Sequence, residues 1–237
     1  MDIPTYATLT RQMGLFRELD VLANNIANAP TFGFREESLV FSEYLPKQAD
    51  DQSVSFAHAN LSRTNFTAGP LVSTGNSVDL ALQGDGFFLV ESGSGPKLTR
   101  AGNFTVSADH RLVTAQGWPV LDIGQAPLFV PPPLGALSFS KTGDLHSGDH
   151  FLGQIGVFTV EDITRLTRHD GVSFTPNQAL LLQEKPDVMQ GFLEQSNSDI
   201  TSQIARLITV QRAYEMGQTF LENEESRIKK SLNMLLK

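Results

Sequence analysis

A ladder of apolar residues near the C-terminus restricts this chain more than any other feature. No proline interrupts residues 199–237, and positions recur four and three apart: Ile200, Ile204, Leu207, Gln211, Tyr214, Gln218, Leu221, Glu225, Ile228, Leu232 and Leu235. Most of these are apolar. A 4-3 repeat sustained over so long a run predicts a coiled-coil seam rather than the stripe of an ordinary core helix. Ser196, Asn197, Ser198 and Asp199 offer N-caps for it. Arg227, Lys229, Lys230 and Lys237 put positive charge near the negative end of the helix dipole.

A second helix is expected at the N-terminus. Leu9, Met13 and Phe16, with Leu15, Leu19, Leu22 and Ile26, form a wide apolar stripe at the helical period. Pro4 falls in the first turn, where its missing N–H costs little. Pro30 and Gly33 place the stop near Asn28. At 1.5 Å per residue the two helices would be roughly 37 and 55 Å long. Antiparallel pairing then leaves the end of the longer helix without a partner inside the chain. Exposed heptads there need another copy or another protein, and before assembly they are expected to be disordered.

The middle is punctuated by glycine and proline and reads as strands. Val78, Leu80 and Leu82 alternate with Asp79 and Ala81, as in a half-buried strand, and Phe87 to Val90 follows the Gly84-Asp85-Gly86 turn as a buried one. Phe104 to Val113 reads as a hairpin, and residues 117–120, 155–160 and 180–183 add further strands. Short strands at this spacing predict a sandwich or barrel. The fold class is therefore α+β, with long N- and C-terminal helices pairing as a coiled coil and an inserted all-β domain. Residues 1–38 with 192–237 would form the helical domain, 39–68 an extended linker, and 69–191 the β-rich domain.

Composition excludes several functions. Asp plus Glu is 26 against 18 for Lys plus Arg, a net charge of -8, which argues against nucleic acid or an anionic membrane as partner. Cysteine is absent, removing disulfide scaffolds, thiolate metal sites and cysteine nucleophiles. Residues 1–20 lack the basic-then-apolar order of a cleaved signal. The least charged stretch, 123–140, is broken by Pro127, Pro131, Pro132 and Pro133, so no membrane insertion is expected.

Catalytic patterns are missing too. Gly84 and Gly86 precede a strand rather than the helix that a dinucleotide fingerprint requires, so they read as a turn. His146 and His150 lie in a Gly- and Asp-rich segment that reads as a loop or hairpin, without a third ligand. No GxSxG or phosphate-binding loop occurs. No catalytic, cofactor or metal site is therefore expected.

One segment breaks local rules. Asn24, Asn25 and Asn28 crowd the end of the N-terminal helix, where asparagine is a poor helix former. Two readings stand side by side. The amides cap a fraying turn, or they bridge to the backbone of a neighbouring segment and fix register where helices from several chains meet.

Leu19-Asp20-Val21-Leu22-Ala23-Asn24-Asn25-Ile26-Ala27-Asn28, followed by Thr31, Gly33 and Phe34, resembles the N-terminal motif of bacterial flagellar rod and hook axial proteins. Thr74 to Phe88 is similar to the family's central block, and Leu98 to Gly117 to the next. Gln190 to Asn197 with Val210-Gln211-Arg212-Ala213-Tyr214-Glu215 resembles its C-terminal block. Pro30, Phe32 and the segment Ser198 to Ile204 depart from the family pattern.

The resemblance implies a non-enzymatic subunit of the basal-body rod. Its terminal helices would form the axial core of a tube, with the β-domain outside. It would be exported by the flagellar type III apparatus to the periplasmic space without a cleaved signal. Other copies and other rod proteins would be its partners. Asn24, Asn25, Asn28, Gly33, Phe34, Ile204, Leu207, Gln211, Tyr214, Leu221 and Ile228 are the expected assembly interface. Two alternatives are a distal rod or hook member of the family, and a secreted β-domain that binds peptidoglycan and oligomerises through a helical stalk. For the latter the lone Trp118 is a weak count in favour of sugar stacking, since most lone tryptophans belong to a core.

Overall fold

The computed structural model describes residues 3–44, 56–132 and 135–235. Helix α1 (Ile3–Ala27) is followed by β1 (Glu37–Tyr44), β2 (Phe56–Thr64), β3 (Leu71–Ser73), β4 (Leu80–Gln83), β5 (Phe87–Ser92) and β6 (Gly95–Thr99). Next come β7 (Thr105–Val106), β8 (Leu112–Val113), β9 (Leu137–Phe139), β10 (Asp144–Ser147), β11 (His150–Gln154) and β12 (Val157–Thr159). The strands β13 (Thr167–Arg168), β14 (Ser173–Thr175), β15 (Leu181–Leu182), β16 (Asp187–Gln190) and β17 (Phe192–Glu194) precede helix α2 (Ile200–Leu235). The protein is α+β, mostly β by element number, with one helix toward each end.

Two compact units divide the chain. The first holds residues 1–27, 37–64 and 199–237; the second holds 28–36 and 65–198.

In the first unit α1 ends at Ala27, one residue short of the expected stop. Asp199 caps α2: its carboxylate accepts hydrogen bonds from the Thr201 and Ser202 amides at 3.3 and 3.1 Å, satisfying donors that an uncapped helix would leave open. Residues 39–68 were expected to form an extended linker. Instead β1 and β2 pair antiparallel from Glu37 opposite Thr64 to Tyr44 opposite Phe56. Their β-branched and aromatic residues favour a paired strand over a free one.

In the second unit a six-stranded antiparallel sheet runs β13-β14-β6-β5-β12-β15, beside a three-stranded sheet β11-β10-β9 and the pairs β16-β4, β17-β3 and β7-β8. Successive side chains of β5 point to opposite faces, and they seed two cores. Phe88 and Val90 join Leu80, Phe104, Leu112, Leu145 and Ile155 on one side. Phe87 and Leu89 join Leu98, Phe158 and Phe174 on the other. Burying each such side chain stabilises the fold by about 1.5–3 kcal/mol. The half-buried alternation expected over 78–82 does not occur. Leu80, Ala81 and Leu82 are all buried, because β4 has protein on both faces. His146 and His150 stand on adjacent strands of a hairpin, and the His146 ring packs against Phe151 at 5.5 Å.

Candidate assembly interface

Contacts between α1 and α2 run antiparallel. Asn25 meets Gln203, Glu18 meets Arg206, and Gln12 meets Tyr214. The inward face of α2 consists of Gln203, Leu207, Val210, Tyr214, Gly217, Leu221 and Glu224, all buried or half-buried. This is a 4-3 series, and it shares Leu207, Tyr214 and Leu221 with the expected ladder. Between them the structure seats Gln203, Val210, Gly217 and Glu224, where the ladder had Ile204, Gln211, Gln218 and Glu225. The inner positions go to residues that permit close approach or carry a hydrogen bond. A Cβ on Gly217 would stand 1.8 Å from Gln12 Nε2. That carboxamide crosses the glycine to donate to the Tyr214 carbonyl at 2.9 Å. Glu18 Oε1 accepts from Arg206 Nη2 at 2.7 Å.

Large apolar residues on both helices are left exposed. Ile204 is 44% exposed, Phe220 44%, Ile228 45% and Met216 69%, and on α1 Leu9, Met13 and Phe16 are each about half exposed. A groove of about 350 Å³ lies between the helices, lined by Leu15, Met216, Gly217 and Phe220 among others. Buried Gln12 Oε1 has no hydrogen-bond partner there.

The three asparagines separate. Asn25 is 1% exposed. It accepts from the Glu37 amide at 3.0 Å and donates to the Glu37 carbonyl at 2.8 Å and to Gln203 Oε1 at 3.3 Å. It bridges to the backbone of its own chain, at the start of β1. Asn24 lies exposed on α1. The Asn28 carbonyl accepts from the Thr31 amide at 2.9 Å, and its side-chain oxygen accepts from Thr31 Oγ1 at 3.3 Å. It shapes the turn that follows the helix.

Gly33 and Phe34 are likewise used within the chain. Gly33 has φ +71, and a Cβ there would lie 2.3 Å from the Ala101 nitrogen. Phe34 is fully buried against Ala101 and Val172, with the Arg168 guanidinium 5.0 Å from its ring centroid.

Beside them lies a feature that sequence reading missed. Glu194 is fully buried. Its Oε1 accepts from Arg35 Nη2 at 2.7 Å and from the Gly69 amide at 2.9 Å, and its Oε2 accepts from Arg100 Nη1 at 3.2 Å. Arg35 also donates to the Thr67 carbonyl, and Arg100 to those of Leu82 and Gly84. Burial pushes the Arg100 guanidinium below its ordinary range, while Glu194 pulls it back up. Asn197 extends the arrangement, accepting from the Glu36 amide at 2.7 Å and donating to the carbonyls of Asn65 and Thr67. The segments that run into and out of the β-rich unit are thus tied together at one point. The only sequence signal was indirect: arginine and glutamate sitting inside apolar blocks.

Of the expected interface, Ile204, Gln211 and Ile228 are exposed and Leu207, Tyr214 and Leu221 are half-buried. Met216 and Phe220 fell outside the expected ladder. Among the described residues no group of three or more His, Cys, Asp or Glu is placed to hold a metal ion, and no helix is long and apolar enough to cross a membrane.

Two family descriptions match this chain. Residues 81–147 match the flagellar hook protein FlgE/F/G D1 domain, and residues 189–234 match the flagellar basal body rod FlgEFG protein C-terminal region. Similar proteins cover nearly the full length. The flagellar basal-body rod protein FlgF of Caulobacter vibrioides is 39% identical over 94% of this chain and 94% of its own. That of Mesorhizobium japonicum is 34% identical over 93% of this chain and 95% of its own. The flagellar basal-body rod protein FlgG of Bacillus subtilis is 26% identical over 97% of each.

Proposed function

Because this chain belongs to the family of flagellar basal-body rod proteins and is most like those named FlgF, we propose that it is a structural, non-enzymatic subunit that polymerises through its terminal helices into the torque-bearing rod. It is a component of the flagellar basal body and assembles with other rod and hook proteins. Its partners are further copies of itself and those neighbours, with the flagellar type III apparatus exporting it to the periplasmic space without a cleaved signal. The 39% and 34% identity to two relatives named FlgF, each over more than nine-tenths of this chain, favours the proximal over the distal rod.

One observation carries this reading. The two helices already contact each other, yet each leaves large apolar side chains exposed: Leu9, Met13 and Phe16 on α1, and Ile204, Met216, Phe220 and Ile228 on α2. Isolated exposed apolar residues are ordinary, but seven large ones on one helix pair, with Ile228 continuing the inward 4-3 series past the end of α1, are the mark of an assembly surface. The antiparallel contacts pair Gln12 with Tyr214. At about 1.5 Å per residue, α1 then runs out before the last turns of α2, which are left for a neighbour. The helices act as a coiled coil that is incomplete in one chain. In a closed tube many such seams must slip together before the assembly twists, and close packing makes that costly. The helical portion supplies the axial core.

The test is a double variant, Met216→Asp with Phe220→Asp, expressed in place of the wild-type protein. Electron microscopy of basal bodies should show rods that end early, and motility should be lost. The purified variant should keep wild-type helix content by circular dichroism. Complete rods in the variant strain would sink the reading.

A further inference from the structure

We propose that a cleft in the β-rich unit binds a neutral saccharide ring, with Trp118 as the stacking surface. The cleft holds about 230 Å³ and is formed by Pro30 to Phe32 together with Val90, Asn103, Thr114, Gln116, Trp118, Val172 and Ser173 among others. None of its lining residues is charged. That rules against phosphate, nucleotide and metal ligands, which need cationic or carboxylate groups.

The lining has the chemistry of a sugar site. A pyranose presents an apolar face of C–H groups and a rim of hydroxyls. Here two aromatic side chains, Trp118 and Phe32, stand among small apolar groups, and Trp118 is backed by the His169 ring at 6.0 Å. Four neutral polar groups are available for the rim. Ser173 is 1% exposed, and its hydroxyl has no hydrogen-bond partner. Leaving a buried hydroxyl unsatisfied costs about 1–3 kcal/mol, so it points to a ligand or water that completes it. The Asn103 and Gln116 carboxamides and the Trp118 indole N–H have no hydrogen bond among the described residues either. By contrast the Thr99 hydroxyl, also in the cleft, is used: it donates to the Val172 carbonyl at 2.9 Å and accepts from the Ala101 amide at 3.0 Å. The volume is below the roughly 300–1,000 Å³ of drug-sized pockets. It fits one ring better than a run of peptide.

Trp118 is the only tryptophan in the chain, so intrinsic fluorescence reports on this cleft alone. Full-length protein is titrated with N-acetylglucosamine trimer and, separately, with cellotriose. A saturable emission change with either one supports the proposal. Asn103→Ala and Ser173→Ala should each weaken binding about fivefold, one hydrogen bond's worth, with unchanged thermal unfolding. Pelleting with purified cell-wall glycan then separates a polymer ligand from a free sugar. Three results would overturn the proposal: no saturable change with either trisaccharide, affinities unaltered in both variants, or an emission change that follows protein concentration alone. The last would make the cleft a contact between copies of this chain.

Discussion

Arg35 Nη2 lies 2.7 Å from Glu194 Oε1, and both side chains are sealed from solvent, at 1% and 0% exposure. A second arginine, Arg100, reaches the other oxygen of the same carboxylate. Two cations on one buried anion leave an excess positive charge that backbone carbonyls, the Asp85 carboxylate and the Phe87 ring, 5.3 Å from the Arg100 guanidinium carbon, help to balance. Such a group is weak evidence of net stability, yet it is costly to break from one side.

Glu194→Gln should therefore lower the unfolding free energy of the β-rich unit by about 3 kcal/mol, since it strands both guanidinium groups. Urea denaturation followed by Trp118 fluorescence measures it. A loss under about 0.5 kcal/mol, the scatter of ordinary surface changes, would show that the pair is solvated in practice.

Gly33→Ala should destabilise the same unit by more than about 1 kcal/mol. The substitution meets both a left-handed backbone and the Ala101 nitrogen, a backbone atom that cannot swing away. Thermal unfolding at matched concentration would register it. An unchanged midpoint would mean that the turn rebuilds.

Leu207→Asp and Phe220→Asp should separate two kinds of contact. Leu207 is half-buried on the inward face of α2, so its change should loosen the helix pair and reduce helicity of the purified chain. Phe220 is 44% exposed at the rim of the groove, so its change should cost less helicity and act mainly on assembly. Equal loss of helicity in both would contradict the two-faced reading of α2.

Hydrogen exchange should find the last turns of α2, residues 225–235, open in the isolated chain and protected at least about tenfold more in assembled rods. Equal protection in the two states would mean that this end needs no neighbour.

The Asp199 cap gives a pH signature. Hydrogen bonds from the Ser202 hydroxyl and then from the Ser202 and Thr201 amides hold its carboxyl below the ordinary value of 3.8. A depressed folded value means that the cap's contribution is fully present above 3.8 and disappears as pH falls through the lower folded value. Exchange at Thr201 and Ser202 should accelerate only in that acidic window, relative to Asp199→Asn, which keeps an accepting oxygen without titrating.

Both helices were legible because a 3.6 period survives in any context. The seam was half legible. Leu207, Tyr214 and Leu221 were found, but the ladder chose Ile204 over Gln203 and Gln211 over Val210. Periodicity alone cannot tell which of two adjacent apolar stripes faces its own chain and which faces a neighbour. The asparagine cluster drew attention for the right chemistry: Asn25 fixes backbone, though within one molecule. Hairpin β1–β2 was read as linker because its pairing partner lies beyond a segment with little pattern. Glu194 and its arginines were invisible because ion pairing between distant residues leaves no local trace.

The closure made by Arg35, Glu194 and Asn197 sets a load path. Tension arriving along the segment at residues 28–36 can leave through residues 194–198 across a few hydrogen bonds and one ion pair, without passing through the sheets. Single-molecule pulling on those two segments should therefore meet its main resistance at this closure.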